Sequence, residues 1–389
     1  MSRKKKIIII ASMGAVLLII ALAALLLLGR ENKDGFLDNL FSGGFSLPGG
    51  KDIDLEDDDG AVTGGAESRS ALFMVSDGPV AAATISGDGD GVLFYRSDVG
   101  HLYKTALTGG AAERVSNLTI PSTINAEWST EKETAMVTFI EENRALRYFV
   151  LHYVGTTTEG VVLPKETYAA TLSPNGENIA YAVAVGDGAS VVIASSSGKE
   201  QKNVLFSELA DIELSWITDD LLFLKTRSSA FAPSILWSLS VSGKTQTLLT
   251  PKEGLGVLFS PDGGRFLYSE TLRGGRDLAL YVANNNDEYL KLPATTLSEK
   301  CVWSNKQTGV VFCAVPQKLS GLPLPDSWWS GEVSFIDDLW RIDTETGEAT
   351  MVWDQNDFDM VKMFLSPEED YLFFVNKKDS TLWAVRLAS

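Results

Sequence analysis

Histidine and cysteine are scarce in this sequence of 389 residues, which contains only two of each. His101 and His152 lie on or beside predicted strands, and neither has another His or Cys at the spacing of a metal site. A G-x-S-x-G turn, which carries the nucleophile of many hydrolases, is also missing. We therefore predict no catalytic residue, no metal site and no cofactor, and we expect that the chain is not an enzyme.

Basic residues are also few: the sequence has 33 Lys and Arg and 51 Asp and Glu, which gives a net charge of −18. A surface that binds the phosphates of nucleic acid is normally basic, so nucleic acid is not an expected partner. The charge is unevenly placed: residues 1–30 have five basic and no acidic side chains, whereas residues 31–70 have three basic and ten acidic ones. Residues 1–30 therefore carry a net charge of +5, residues 31–70 a net charge of −7 and the remaining residues a net charge of −16. These different charges indicate three physically different regions.

One long apolar run extends from residue 7 to residue 28, directly after four basic residues at positions 3–6. At about 1.5 Å per residue it would form a helix of roughly 33 Å, enough to cross a bilayer core of about 30 Å. A signal peptide cleaved after Ala21-Leu22-Ala23 is the alternative, but the apolar run continues beyond that point. Because the basic residues keep the N-terminus in the cytoplasm, we predict a single-pass protein of the cytoplasmic membrane whose remaining chain is extracytoplasmic.

Residues 29–70 contain several Gly-Gly pairs and the acidic run 52–59. Low hydrophobicity and like-charge repulsion predict a flexible, disordered linker there. From residue 71 the pattern changes to short apolar strands separated by turns. The predicted organisation is therefore a short cytoplasmic N-terminus (1–6), a transmembrane helix (7–28), a linker (29–70) and a β domain (71–389).

The β domain contains a repeat, which is clearest at the residue that ends each predicted first strand before its turn. These residues are Ile85, Trp128, Leu172, Trp216, Phe259, Trp303 and Leu365. Successive spacings are 43, 44, 44, 43, 44 and 62 residues. A period near 44 residues is typical of a four-stranded propeller blade, so seven such positions predict seven blades.

Three of the turns resemble those of a known family. Ser260-Pro261-Asp262-Gly263 precedes Phe266-Leu267-Tyr268, and Ser173-Pro174-Asn175-Gly176 precedes a similar strand. With Ser366-Pro367, these segments resemble TolB-type (PD40, WD40-like) propeller repeats over residues 71–389. The resemblance implies a β-propeller and an envelope-linking role outside the cytoplasm. The sequence departs from TolB in its predicted anchor and in lacking the family's N-terminal α/β domain.

The predicted fold class is therefore all-β: a seven-bladed β-propeller preceded by one N-terminal transmembrane helix and a disordered linker. Residues 382–387 supply the third strand of blade seven, which lacks a fourth strand of its own. Residues 71–75 form a spare strand ahead of blade one. Pairing the two would remove two open sheet edges, so we predict that this contact closes the ring.

The two cysteines, Cys301 and Cys313, lie on either side of the predicted turn of blade six. Their midpoint is residue 307, so antiparallel pairing of the two strands would place them face to face. An oxidising exterior would favour a disulfide bond. The alternative is two buried free thiols.

The one irregular spacing, 62 residues, indicates an insertion at residues 316–335, between the second and third strands of blade six. It contains the candidate interaction residues Lys318, Asp326, Trp328 and Trp329. Two adjacent Trp side chains are costly to leave in water unless they pack or bind something. A loop at this position shares a face with the blade-to-blade connections. We expect either a contact site for a protein or glycan, or a plug over the channel of the propeller.

These observations predict a non-enzymatic, membrane-anchored extracytoplasmic propeller that acts as a protein-interaction scaffold or recognition module of the bacterial cell envelope. The predicted partners are the membrane and an envelope protein or glycan. The alternative hypothesis is a glycan-binding or carbohydrate-active propeller that uses the Trp-rich insertion of blade six.

Overall fold

The computed structural model describes residues 72–154, 157–284, 288–354 and 357–387, and these form seven four-stranded antiparallel sheets. The predicted transmembrane helix and linker lie outside the described residues. Across the described ranges, no helix combines the length and apolar character that a membrane crossing requires.

The first strand of the described chain, β1 (Leu72–Ser76), belongs to blade seven. After it, each of the first four blades consists of four consecutive strands. Blade one contains β2 (Val80–Ile85), β3 (Gly91–Arg96), β4 (His101–Ala106) and β5 (Glu113–Arg114). Blade two contains β6 (Thr123–Trp128), β7 (Thr134–Ile140), β8 (Leu146–Val154) and β9 (Thr157–Val162). Blade three contains β10 (Thr167–Leu172), β11 (Asn178–Val185), β12 (Gly188–Ser195) and β13 (Lys202–Ser207). Blade four contains β14 (Ile212–Thr218), β15 (Leu221–Thr226), β16 (Pro233–Ser240) and β17 (Thr245–Glu253).

The remaining three blades contain the two short helical segments of the described chain. Blade five contains β18 (Gly256–Phe259), β19 (Arg265–Leu272), β20 (Asp277–Asn284) and β21 (Tyr289–Lys291). A short 3-10 helix (Ser298–Lys300) leads into blade six, which contains β22 (Cys301–Trp303), β23 (Val310–Pro316), a one-turn α-helix (Asp326–Trp329), β24 (Asp337–Asp343) and β25 (Ala349–Trp353). Blade seven contains β26 (Met360–Leu365), β27 (Tyr371–Asn376), β28 (Leu382–Arg386) and the returning β1.

The prediction of an all-β, seven-bladed propeller is confirmed over the described residues. Six of the seven first strands end at the predicted residue, and the exception is β14, which continues two residues beyond Trp216. The reason is a register shift between Trp216 and Thr218, which allows Thr218 to pair with Leu221 and extend the ladder. A bulge inserts residues without ending a strand, so the repeat spacing does not reveal it.

The ring closes through the predicted strand at the start of the β domain. β1 pairs antiparallel with β28, with Phe73 opposite Ala384 and Leu72 opposite Val385. The N-terminal strand thereby becomes the outer strand of blade seven, and the first and last parts of the propeller share one sheet. Closure removes an open edge on each partner, which is a general requirement of propellers.

The hydrophobic core lies between neighbouring blades. Between blades seven and one, for example, Phe94 packs with Phe373 and Leu382. The first strands of neighbouring blades contact one another, as β2 does with both β6 and β26, so they line the centre of the ring. Side chains of neighbouring first strands meet around this central channel, as Thr171 of β10 does with Glu127 of β6.

Candidate functional site at the channel mouth

The insertion of blade six folds over one face of the propeller and touches several blades. It begins after Pro316 and contains the one-turn helix Asp326–Trp329. The backbone N–H of Leu324 donates to the carbonyl of Gly275, in the loop between the second and third strands of blade five. The two carboxylate oxygens of Asp326 accept from Ser229 Oγ at 3.0 Å and from the N–H of Ala230 at 2.6 Å, in the equivalent loop of blade four. The insertion is thus clamped to neighbouring blades.

Trp328 lies inside the insertion. It is 3% exposed and packs in a cluster with Leu324, Val333 and Phe335, together with Leu278 and Leu297 of the propeller. Its indole Nε1–H donates to both carboxylate oxygens of Asp359, at 3.2 and 3.0 Å. A side chain that is buried and hydrogen-bonded in this way holds the insertion in place, and the little surface it keeps borders the cavity described below.

Beneath Trp328 lies a fully buried ionic cluster. Lys300 Nζ is 2.7 Å from Asp337 Oδ2 and 2.6 Å from Asp359 Oδ1, and all three side chains are inaccessible to water. Burial raises the pKa of Asp337 to about 6. Burial acts in the same direction on Asp359, but the charge and hydrogen bond of Lys300 outweigh it and keep the pKa of Asp359 below its usual value. The cluster joins the blade-six strand β24 to the start of blade seven.

The four candidate interaction residues have separate places in the structure. Trp329 is 39% exposed, and its Nε1–H donates to Glu299 Oε2 at 2.9 Å. Lys318 is exposed and has no ion-pair partner among the described residues. Asp326 and Trp328 are occupied in holding the insertion. Part of the insertion therefore packs on the propeller, whereas the Trp329 side chain stays partly exposed.

Trp329 borders a cavity of about 470 Å³ at the mouth of the channel. The walls come from the starts of the first strands of blades one, two and seven and from the insertion. The lining includes Trp328 and the residues used in the proposals below, namely Ile124, Glu299, Trp329, Val361, Lys362 and Lys377. Most of the wall is apolar, and a few charged groups converge on it, which is the usual composition of a ligand pocket.

Lys362 and Glu299 were not among the residues that the sequence singled out. The ammonium of Lys362 donates to the carbonyls of Ala81 and Ile124, so one side chain connects blades seven, one and two. Removal from bulk water lowers its pKa to about 8. Glu299 is accessible from the cavity but surrounded by protein, and the resulting desolvation raises its pKa. The one signal in the sequence was a lysine within the otherwise apolar strand β26.

A second carboxyl group lies along the first strands of blades two to four. Glu127 Oε1 accepts from Thr171 Oγ1 at 2.9 Å, and Thr171 Oγ1 accepts from the N–H of Trp216 at 3.1 Å. Burial raises the pKa of Glu127 to about 7, even though the hydrogen bond from Thr171 opposes the shift. Such a carboxyl could exchange protons near neutral pH. The three residues are about one blade apart in sequence and therefore form no local motif.

Cys301 and Cys313 form a disulfide bond in the structure. They are directly opposite each other in the ladder between β22 and β23, and both are buried in the core between blades five and six.

Replacing both cysteines by alanine is expected to lower the free energy of unfolding by about 3 kcal/mol, because the bond closes a short loop in the unfolded chain. Urea unfolding with and without a reductant would measure this. The reductant should destabilise the wild type and leave the double variant unchanged. Two free thiols in a non-reducing mass spectrum of the wild type would contradict the prediction.

No protein-family model and no curated protein sequence matches the chain. Solved structures do match. An oligogalacturonate lyase in complex with manganese is 12% identical, with a TM-score of 0.58 over 82% of this chain and 93% of that one. An oligogalacturonate lyase from Vibrio parahaemolyticus is 11% identical, with a TM-score of 0.58 over 82% and 94%. The β-propeller domain of Cps50 (Swd1) from Myceliophteria thermophila is 11% identical, with a TM-score of 0.54 over 82% and 100%. At these identities the matches show the β-propeller fold, and the closer resemblance to TolB-type repeats stays a prediction.

These matches overturn the prediction that the chain is not an enzyme. Two of the matched structures are lyases, so a propeller of this kind can belong to an enzyme, and the missing motifs do not exclude catalysis. The prediction was wrong because it depended on local motifs, whereas a propeller assembles side chains from first strands about 44 residues apart. In the described part of this chain, no group of three His, Cys, Asp or Glu side chains is placed to hold a metal ion.

Proposed function

We propose that the chain is a single-pass, membrane-anchored propeller of the cell envelope, which recognises a protein partner through its extracytoplasmic face bearing the blade-six insertion. The observation that carries this proposal is an apolar rim on that face. Phe231 is 69% exposed and lies in the blade-four loop that the insertion contacts, and Leu272 is 57% exposed and ends β19, just before the blade-five loop that it contacts. Trp329, on the insertion itself, is 39% exposed and borders the cavity at the channel mouth.

Single exposed apolar side chains are common on soluble proteins, so the rim matters because its members are held together. The clamp from Asp326 to Ala230 fixes the backbone beside Phe231. The hydrogen bond from Leu324 to Gly275 fixes the loop that follows Leu272. A surface that is rigid before binding loses less conformational entropy when a partner docks. The rim is therefore preorganised for recognition.

Changing Phe231 to serine together with Leu272 to serine is expected to weaken capture of the envelope partner by about tenfold or more, because exposed aromatic anchors contribute strongly to interfaces. The matched control is Phe206→Ser, which removes a phenylalanine of similar exposure, 63%, from the outer strand of blade three. Cross-linking mass spectrometry in native membranes would identify the partner, and quantitative capture would compare the variants. Equal losses in both, or cross-links confined to the outer blade edges, would reject the proposed face.

A second candidate function, glycan binding or carbohydrate chemistry, is favoured by the cavity. It has a size typical of ligand sites, and it combines the Trp329 indole with Glu299 and two lysines. Indole faces and convergent hydrogen-bonding groups suit sugar rings. Incubation with oligogalacturonates, followed by mass spectrometry, would test it alongside a glycan array. The wild type should bind or shorten a glycan and Trp329→Ala should not; a wild type that does neither would reject this candidate.

A further inference from the structure

Lys362 lies at an irregular point of the channel wall. The pairing of β26 with β27 shifts register between Val361 and Phe364. Within this bulge Lys362 has a φ of 51°, a left-handed conformation that side chains other than Gly, Asn and Asp rarely adopt. Bulges redirect a side chain from the regular alternation of the strand. Here the redirected side chain borders the cavity.

The ammonium group of Lys362 is left with unused binding capacity. Two of its three N–H donors go to the backbone carbonyls of Ala81 and Ile124. No carboxylate lies within ion-pair distance of it among the described residues, whereas Lys300, in the same part of the molecule, has two. Carbonyl dipoles orient the group but do not neutralise it. One donor and one positive charge therefore remain for a ligand.

The other charged groups of the cavity favour a single negative charge. Lys377 lines the same cavity, and its Nζ is 5.2 Å from the centroid of the Trp328 ring, with no carboxylate partner among the described residues. Glu299 is the acidic side chain of the wall. With Glu299 ionised, the two lysines leave one positive charge, which a carboxylate balances and a phosphate dianion exceeds. Ile124, Val361 and the Trp329 indole provide an apolar wall for the body of the ligand.

We infer that the cavity at the channel mouth is a binding site for a small monocarboxylate with a ring-sized body, whose carboxylate is held by Lys362 and Lys377. The inference deepens the proposed function, because the cavity opens on the same face. The ligand site can be tested without a protein partner. A negative result for the ligand would therefore leave the proposed protein-binding face intact, and loss of the protein-binding proposal would leave the ligand site intact.

Benzoate and benzamide are suitable probes, since they have the same shape and differ in charge, and glucuronate with glucose forms a second pair. At about ten times the dissociation constant, each bound carboxylate should raise the melting temperature of the wild type by about 2 °C over its neutral analogue. Lys362→Met should abolish this difference, whereas Lys318→Met, a change at an exposed lysine of the insertion, should preserve it. If only benzoate or only glucuronate is preferred over its neutral analogue, the result identifies whether the ligand has an aromatic or a sugar ring. Either result supports the carboxylate site.

The pH dependence of the wild type tests the inference without a variant. Because the pKa of Lys362 is lowered to about 8, the carboxylate preference should disappear as the pH rises through about 8 rather than near the ordinary lysine value of about 10.4. Glu299 and Lys377 are the other titratable groups facing the cavity. Equal response to the charged and neutral probes, or a preference that Lys362→Met retains, would overturn the inference and leave Lys362 as a brace between blades.

Discussion

Replacing Lys300 with methionine is expected to lower the free energy of unfolding by about 3–5 kcal/mol, the loss typical of breaking a buried ion pair from one side. The methionine fills much of the same volume, so the loss reports charge and not a cavity. The variant leaves Asp337 and Asp359 buried without a cation. Each carboxylate must then stay ionised at high cost or take up a proton.

The loss should depend on pH, with a definite sign. The pKa of Asp337 in the folded protein is already raised to about 6, and removing the opposing effect of Lys300 raises it further. A folded-state pKa above the unfolded value means that stability falls as the pH rises through the folded-state pKa. Urea unfolding should therefore show a larger deficit for Lys300→Met at about pH 8 than at about pH 5.

Lys306→Met is the matched control, because Lys306 lies in the same blade but pairs with Glu368 at the surface. Exposed ion pairs contribute little, so this variant should unfold like the wild type at both pH values. A Lys300→Met deficit that is absent, or that grows toward acid pH, would show that the buried cluster is not held by its cation.

Replacing Trp328 with alanine is expected to cost about 3–5 kcal/mol, the range for removing a buried large aromatic side chain. The change opens the cluster around Leu324 and Phe335 and removes the two hydrogen bonds to Asp359. Limited proteolysis should find new cleavage sites between residues 317 and 336, and hydrogen exchange should increase there. The propeller beneath should remain folded, since its blades close independently of the insertion.

Trp329→Ala separates function from stability at the neighbouring position. Its side chain is partly exposed and has a single hydrogen bond, to Glu299, so its removal should change the melting temperature little. It should nevertheless weaken binding at the cavity. If Trp329→Ala destabilises as much as Trp328→Ala, the division of the pair into a packing residue and a contact residue is wrong.

The blades could be predicted from the sequence because each repeats the same local physics. In the turn that begins at Ser260, the hydroxyl donates to Asp262 and accepts from the N–H of Arg265, and Gly263 supplies a φ of +68°. Serine, aspartate and glycine are each suited to their own turn position, so the motif recurs where the geometry recurs. Closure could be predicted as well, since an unpaired strand at one end matched a missing strand at the other.

The site could be predicted only in part. The irregular spacing located the insertion, and the insertion does border the cavity, but the roles of Trp328 and Trp329 could not be separated. Successive residues of a helix point about 100° apart, so although both indoles border the cavity, only one packs into the core. Which one does so depends on the surface beneath the helix.

Strand alternation, turn chemistry and a period near 44 residues, all local properties, were enough to determine from the sequence alone that seven blades form and how they close. Tertiary structure alone decided what stands at the channel mouth. Lys362 meets the carbonyls of Ala81 and Ile124, which lie 281 and 238 residues away in the chain. Glu299 accepts a hydrogen bond from Trp329, which lies 30 residues further along the chain. The charge and pKa values of these groups follow from neighbours that only the closed ring brings together.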